Sequence, residues 1–257
     1  MPSPNKLHSV LFLGAHPDDE TIMAGGTLAM LHAHGVHTHI VCATDGRGGE
    51  SGEVVAANSP PALATVRQAE VRAAAAVLGA ELTLLGYEDP VIGPDEELYP
   101  FTTDEEALAL QLAGLIRDAE VEVVLCHGSD GEYGHPAHKQ VHRATLCAIR
   151  EHLPHLVCYG VAGWLPDFED RIWNKSDPAH LALDITPWIE AKHQAMLAHR
   201  SQHQLFKRRR KLEPVRQAVR PIETFHRHWP ALPPDTPPDD AFAALLLQVG
   251  AWRPASG

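Results

Sequence analysis

The residues Ala15-His16-Pro17-Asp18-Asp19-Glu20 follow directly on the apolar run Ser9-Val10-Leu11-Phe12-Leu13-Gly14. One imidazole beside two adjacent carboxylates is a metal-site pattern with one acid to spare. Imidazole and carboxylate suit a borderline divalent metal such as zinc, and the spare acid is left to act on a metal-bound water. A second polar cluster follows another apolar run: Cys126-His127-Gly128-Ser129-Asp130-Gly131-Glu132-Tyr133-Gly134-His135-Pro136-Ala137-His138. Its three glycines mark a loop. The loop ends at a helix start, with His135 at the N-cap, Pro136 at the favoured first position and His138 at N3. His142, one turn beyond His138, is an alternative ligand.

Such clusters need a scaffold that brings them together. Short β-rich runs alternate with longer helical patterns, the signature of an α/β fold with a parallel sheet. Strands are expected at Ser9–Ala15, His37–Thr44, Glu81–Leu85, Glu122–His127 and Leu156–Val161. Helices are expected from Asp19 to His34, ended by Gly35, and over Pro61–Leu78, ended by Gly79. A capping box at Thr103-Asp104-Glu105-Glu106, with Thr103 as N-cap, opens a helix to Ala119, and another runs from Pro136 to His152. A Rossmann-like, mostly parallel open sheet with helices on both faces follows. With strand order 3-2-1-4-5, strands one and four meet at the topological switch point, and the two clusters share one crevice although far apart in the chain. Gly25-Gly26 inside the first helix implies close packing of the helix on the sheet, or of its backbone on a ligand.

Beyond strand five the regularity loosens. Leu181–Ile185 reads as a strand and Trp188–Gln202 as helical. A division follows: residues 1–229 as the main domain, and 230–257 as a Pro-rich arm (Pro230, Pro233, Pro234, Pro237, Pro238) with a short helix at Asp240–Val249.

The 257 residues carry 33 acids against 21 Lys and Arg, a net charge of −12. That balance argues against a nucleic-acid binder, which needs an electropositive face. Cys42, Cys126, Cys147 and Cys158 lack paired spacing, which points to free thiols and a reducing, cytoplasmic setting. The apolar stretch Val10–Ala15 is too short for a signal peptide, and no run approaches the length of a membrane span. Charge is uneven: 88–106 is acidic, and 200–227 is basic, with Lys207-Arg208-Arg209-Arg210-Lys211. Both read as solvated surface, or as stretches that meet each other.

The two clusters, in this order and at these strand ends, resemble the PIG-L/LmbE-like family of zinc-dependent N-deacetylases. Further segments agree: Leu63-Ala64-Thr65-Val66-Arg67-Gln68-Ala69-Glu70, Gly86-Tyr87-Glu88-Asp89, and Lys192 with His199-Arg200-Ser201-Gln202. The resemblance spans residues 9–202. It implies one zinc, or another divalent transition metal, per chain, bound by His16, Asp19 and His138. Asp18 is implied as general base on the zinc-bound water. His135 is implied to stabilise the oxyanion or protonate the leaving amine. Tyr133, Arg67 and Asp89 are implied on the substrate side. The implied reaction removes the acetyl group from an N-acetylglucosaminyl-type conjugate, a small-molecule partner. One departure stands out: many members carry Asp between the two histidines, where this chain has Ala137. Glu132 and Asp130 are the nearest carboxylates to replace it.

Two His and one carboxylate leave a fourth zinc position for water, as catalytic sites require. Zinc lowers that water's pKa to about 7, and a neighbouring carboxylate accepts the proton. Asp45-Gly46-Arg47-Gly48-Gly49-Glu50 borders the same crevice after strand two, with Asp45 on the substrate side and glycines that let a sugar approach. Arg67 and Glu70 read equally as an ion pair on one helix face or a sugar clamp. Trp164, Trp173 and Trp188 read as core, or as a frame for sugar stacking. His32, His34, His37, His39, His152, His155, His180, His226 and His228 read as surface or satisfied core histidines. Two other readings stay open: a non-catalytic metal-binding protein on this scaffold, and a zinc hydrolase for another bond such as a phosphoester. The oligomeric state is open, including a homo-oligomer.

Overall fold

The computed structural model describes residues 6–254 apart from 53, 55–57, 95–96, 167, 169–171, 211–213 and 234–235. In chain order the strands are β1 (Ser9–Gly14), β2 (His37–Thr44), β3 (Glu81–Tyr87), β4 (Val123–Cys126), β5 (Val157–Val161), β6 (Gly163–Trp164), β7 (Asn174–Pro178), β8 (Leu181–Asp184) and β9 (Ile222–Trp229). The helices are α1 (Asp19–Ala33), α2 (Pro60–Leu78), α3 (Glu105–Asp118), α4 (Gly131–Gly134, one distorted turn), α5 (Pro136–His152), α6 (Ile189–Ala198), α7 (His203–Arg210) and α8 (Ala241–Gln248).

Strands β1 to β5 run parallel in the order β3-β2-β1-β4-β5, and antiparallel β9 and β8 continue the sheet past β5. Strands β6 and β7 pair separately. β1 is buried along its whole length. Its Val10 and Phe12 pack with Met23 and Leu28 of α1 and Leu78 of α2. Its Leu11 and Leu13 pack with Leu108 and Leu112 of α3 and Val141 of α5. A strand apolar on both sides is what a parallel sheet covered by helices demands. The chain winds from β1 towards β3 on one side and from β4 towards β8 on the other. The carboxyl ends of β1 and β4 therefore open on a crevice at the switch point.

Three expectations shift. The N-cap of α3 is Asp104, whose Oδ1 accepts from Ala107 N, in place of Thr103. The helix expected over 188–202 breaks at His199, where ψ is 62°, and resumes as a 3₁₀ turn at Arg200–Gln202. Strand β9 was not expected at all, and it carries β8 into the main sheet. The close packing at Gly25-Gly26 is real. A Cβ on Gly26 would lie 2.5 Å from Ile185, and one on Gly25 would lie 3.2 Å from Lys192. Lys192 Nζ donates to the Ile22 carbonyl and to Glu223, while the N–H groups of Gly26 and Thr27 donate to Glu223.

The 230–257 segment returns to the sheet. Asp240 caps α8, Phe242 and Leu246 enter the main core, and Trp252 bridges to Ala182. Pro234 and Lys211 lie outside the described residues. Of the basic stretch, Arg208 pairs with Glu50, Arg216 with Glu190, and Arg227 with Asp239 and Asp240. In the acidic stretch, Glu88 pairs with Arg47 and Glu105 with Arg143.

Candidate metal centre and active site

The turn after β1 sets the first half of the site. Asp18 adopts φ 120°, outside the range comfortable for a residue with a side chain, and its N–H donates to Glu20. α1 begins at once with Asp19. Asp19 Oδ2 accepts the N–H groups of Ala15 (3.0 Å) and His16 (2.7 Å), so this oxygen is fixed by backbone. The other oxygen, Oδ1, lies 3.4 Å from His138 Nε2. His138 comes from the first turn of α5, whose N-cap is His135.

Three donors thus converge. His16 Nδ1 lies 3.2 Å from His138 Nε2 and 3.5 Å from the Asp19 carboxylate. A tetrahedral ion with bonds of about 2.0–2.1 Å requires ligand atoms about 3.3–3.4 Å apart. The far side of each imidazole faces a carboxylate. His138 Nδ1 donates to Glu132 (2.5 Å), and His16 Nε2 lies 3.3 Å from Asp89. Those partners place the ring protons on the outer nitrogens and turn the inner lone pairs towards each other, the usual support for metal-binding histidines. Two lone pairs and a carboxylate oxygen at this spacing repel unless a positive charge sits among them. The same demand shows in His16. Burial lowers its pKa, but Asp89 and Asp19 more than offset that and raise it to about 10. The donor set fits a divalent metal.

His135 also has a nitrogen within reach of His16 and His138, but it is committed differently. Its Nδ1 accepts the N–H of Ala137 at 3.2 Å. That fixes the proton on Nε2 and makes the ring a neutral donor. Burial, then the neighbouring His138 and His16, push its pKa far down. The rings of His127, His138 and His135 form a stack, with centroids 3.9 Å and 4.4 Å apart. Tyr133 stands edge-on to His135 and His138 and is 39% exposed, at the mouth.

Asp18 stays outside this donor group. Its Oδ2 lies 3.4 Å from Arg67 Nη2. Burial foremost, with the charges of Asp19 and Glu20, raises its pKa to about 6 against the pull of Arg67 and His199. A buried carboxylate titrating near neutrality is suited to accept a proton. These groups floor a cleft of about 1100 Å³, counting the part open to solvent. Its walls include Ile22, Met23, Ile92, Met196 and Phe206.

The expected residues do not all face the cleft in the manner foreseen. Arg67 is 3% exposed and donates to the carbonyls of Gly46 and Pro17. It does not pair with Glu70, which accepts from the N–H and hydroxyl of Ser201. Asp89 lines the cleft but backs His16. Asp45 accepts from Arg47 and from the Asp89 N–H, so it braces the loop. His142 turns away, with its Nδ1 on the His127 carbonyl. Glu132 reaches His138 and His127, and Asp130 reaches Ser176, so neither replaces an acid beside His135. Ala137 is fully buried in the apolar cluster under α5. Trp164, Trp173 and Trp188 are not among the cleft-lining residues; its aromatics are Tyr99, Tyr133 and Phe206.

Of two residues that support the histidines, His127 had been given no role and Glu132 only that of replacing the acid missing at Ala137. His127 ends β4 as His16 follows β1, and that placement was its signal. Its Nδ1 lies 3.0 Å from Glu132, and its Nε2 lies 3.1 Å from Asp19 and 3.0 Å from the Ala15 N–H. Glu132 bridges both histidines, and nothing in its spacing marked it.

The sheet order, the crevice at β1 and β4, and the His/Asp cluster on its floor define a Rossmann-like α/β protein with a metal-competent switch point. The chain belongs to the PIG-L family: the profile described as GlcNAc-PI de-N-acetylase matches residues 11–149. The 1D-myo-inositol 2-acetamido-2-deoxy-alpha-D-glucopyranoside deacetylase of Acidothermus cellulolyticus is 35% identical over 156 residues, 56% of this chain and 53% of that one. The chain spans about half the length of the curated relatives it matches. Two solved structures share the fold. GalB, the 4-carboxy-2-hydroxymuconate hydratase of Pseudomonas putida KT2440, superposes with TM-score 0.61 at 23% identity, over 88% of this chain and 98% of that one. The N,N'-diacetylchitobiose deacetylase of Pyrococcus horikoshii does so with TM-score 0.61 at 20% identity, over 86% and 84%. A hydratase and a deacetylase on one fold leave the reaction to be argued from the site.

Proposed function

We propose that this chain is a metal-dependent amidohydrolase that removes the N-acetyl group from an N-acetylglucosaminyl-type amino-sugar conjugate. One zinc ion would be held by His16, Asp19 and His138. The observation that carries this reading is the convergence of His16 Nδ1 and His138 Nε2, 3.2 Å apart, on the Asp19 carboxylate, whose Oδ2 lies 3.5 Å from the first and whose Oδ1 lies 3.4 Å from the second, beside an acid, Asp18, that is not part of the group. When bound, zinc supplies an acidified water and withdraws charge from the acetamide carbonyl. Asp18 accepts the water's proton as oxygen attacks the carbonyl carbon, and Arg67 holds Asp18 in place. His135 donates from Nε2 to the carbonyl oxygen as charge develops there, and the Tyr133 hydroxyl is a second donor at the mouth. The C–N bond breaks, Asp18 returns the proton to the leaving amine, and acetate remains. The polar floor accommodates the acetamide and sugar hydroxyls, and the apolar wall a less polar part of the conjugate.

The reaction is assigned to the cytoplasm on the free thiols of Cys42, Cys126, Cys147 and Cys158. Among the described residues no helix is long and apolar enough to cross a membrane.

The test is acetate release by the zinc-loaded protein over a panel of N-acetylglucosaminides. Asp18→Asn is expected to keep zinc in the cleft and lose roughly 10²-fold or more in turnover. Asp19→Asn is expected to lose the zinc. Undiminished turnover in Asp18→Asn, or no acetate from any substrate, overturns the proposal.

A further inference from the structure

Behind the loop that carries Tyr133 and His135 lies a second group of potential ligands, away from the cleft. Asp177 of β7 and His226 and His228 of β9 each offer one donor atom, all within 4.8 Å of one another. The two histidines are two apart on β9, where a bulge shifts the register with β5, and their ring centroids lie 4.7 Å apart. His226 pairs in register with Gly160 of β5. A side chain at Gly160 would collide with His228, since a Cβ there would lie 2.6 Å from His228 Nε2.

The protonation pattern of this group is fixed by its partners. His226 Nδ1 lies 2.6 Å from the Pro178 carbonyl oxygen. A carbonyl only accepts, so Nδ1 carries the hydrogen and Nε2 keeps a lone pair. His142 repeats the arrangement, with Nδ1 2.8 Å from the His127 carbonyl and its ring edge-on to His228 at 4.6 Å. Burial, and next the hydrogen bond to Pro178 working against it, leave His226 near a pKa of about 4; burial and the charge of His228 bring His142 to about 4. Asp177 is held at both oxygens by Ser129, whose N–H reaches Oδ2 at 2.7 Å and whose hydroxyl reaches Oδ1 at 2.6 Å. His228 Nε2 is buried and stands 3.3 Å from Asp177 Oδ2 without the alignment of a hydrogen bond. The neighbouring His180 is fully engaged, with Nδ1 accepting the Arg227 N–H and Nε2 on the Pro233 carbonyl.

We propose that Asp177, His226 and His228 form a second divalent-metal site, separate from the cleft, that takes a borderline transition-metal ion such as zinc, with the His142 ring beside it. Two imidazoles and one carboxylate, each oriented from behind by a carbonyl, a serine or the sheet, make a donor set for such an ion. The site would be a brace. Ser129 ties Asp177 to the 127–135 loop, Ser176 ties to Asp130, and the Asn174 side chain accepts from the N–H groups of Asp130 and Glu132. An ion here would pin β7 and β9 together behind the loop that presents Glu132, Tyr133 and His135.

The test is metal stoichiometry of the untagged chain, stripped with chelator and dialysed against Zn²⁺ or Co²⁺. The key protein is His138→Ala, which removes the residue common to both ligand groups of the cleft and leaves the second site untouched. It is expected to keep one equivalent per chain, to gain visible Co²⁺ absorption, and to melt at a higher temperature with Zn²⁺ than without. Adding His226→Gln or His228→Gln to it is expected to remove all three signals, with circular dichroism confirming the fold. A His138→Ala protein that binds no metal, or one whose binding survives both second-site substitutions, overturns the proposal. Neither result depends on the reaction assigned to the cleft.

Discussion

His135 is a histidine that its own helix keeps from taking up a second proton. The Ala137 N–H fills its Nδ1, and the positive end of α5 disfavours a second proton. Ala137 removes the carboxylate that could have reversed this. Under the proposed reaction its contribution is a neutral N–H aimed at the developing oxyanion. An amide side chain offers the same kind of donor. His135→Gln is therefore expected to retain more turnover than His135→Ala, which should lose on the order of 10²–10³-fold. Steady-state kinetics of the two zinc-loaded variants decide it: equal losses would mean that proton transfer is the role. That His16, Asp18, Asp19, His135 and His138 share one cluster was legible from their types and their positions at strand ends; the roles given to them rest on the proposed reaction. What lay hidden were the carboxylates behind them. Asp89 stands behind His16 of another segment, and Glu132 behind two histidines of its own loop and helix start, relations that only the folded chain creates.

The elements that carry the site were legible where apolar periodicity is strong: β2 and α5 fall on the expected residues, and β1 and α2 within one. β9 was not, because Glu223, Arg227 and two histidines interrupt its apolar residues and its partner β5 lies some sixty positions upstream. That strand supplies Glu223, which with Lys192 forms a buried pair seated on α1 beside Gly26. Both side chains are 1% exposed. Removing one charge strands the other, so Lys192→Met is expected to destabilise the fold by about 3–5 kcal/mol. Lys192→Met/Glu223→Gln should recover part of that loss. Denaturant unfolding of the three proteins measures both, and a single variant as stable as wild type would mean that water reaches Glu223.

For the whole molecule, the family-defining stretch 11–149 is not a self-sufficient unit. Glu20 takes its partner from His199, Glu70 from Ser201, and Ile22 from Lys192. Leu183, Phe225 and Phe242 complete the core that Phe12 begins. A chain cut after residue 149 would also expose β4 as an open edge and leave buried acids without partners. Residues 1–149 alone are expected to show no cooperative unfolding transition by circular dichroism; a sharp transition would mean that the remainder is an accessory.

Asp18 occupies a backbone position that glycine would hold more easily, since φ 120° presses a Cβ against its own chain. Under the proposed reaction the protein thus keeps its general base in tension with its own durability. Relieving that tension should separate the two properties. In the metal-free state Asp18→Gly is expected to gain about 1 kcal/mol, or roughly 2–4 °C in Tm, while losing turnover. Selection for robustness alone would erode this residue, so its persistence would measure how far function, and not folding, shapes the turn after the first strand.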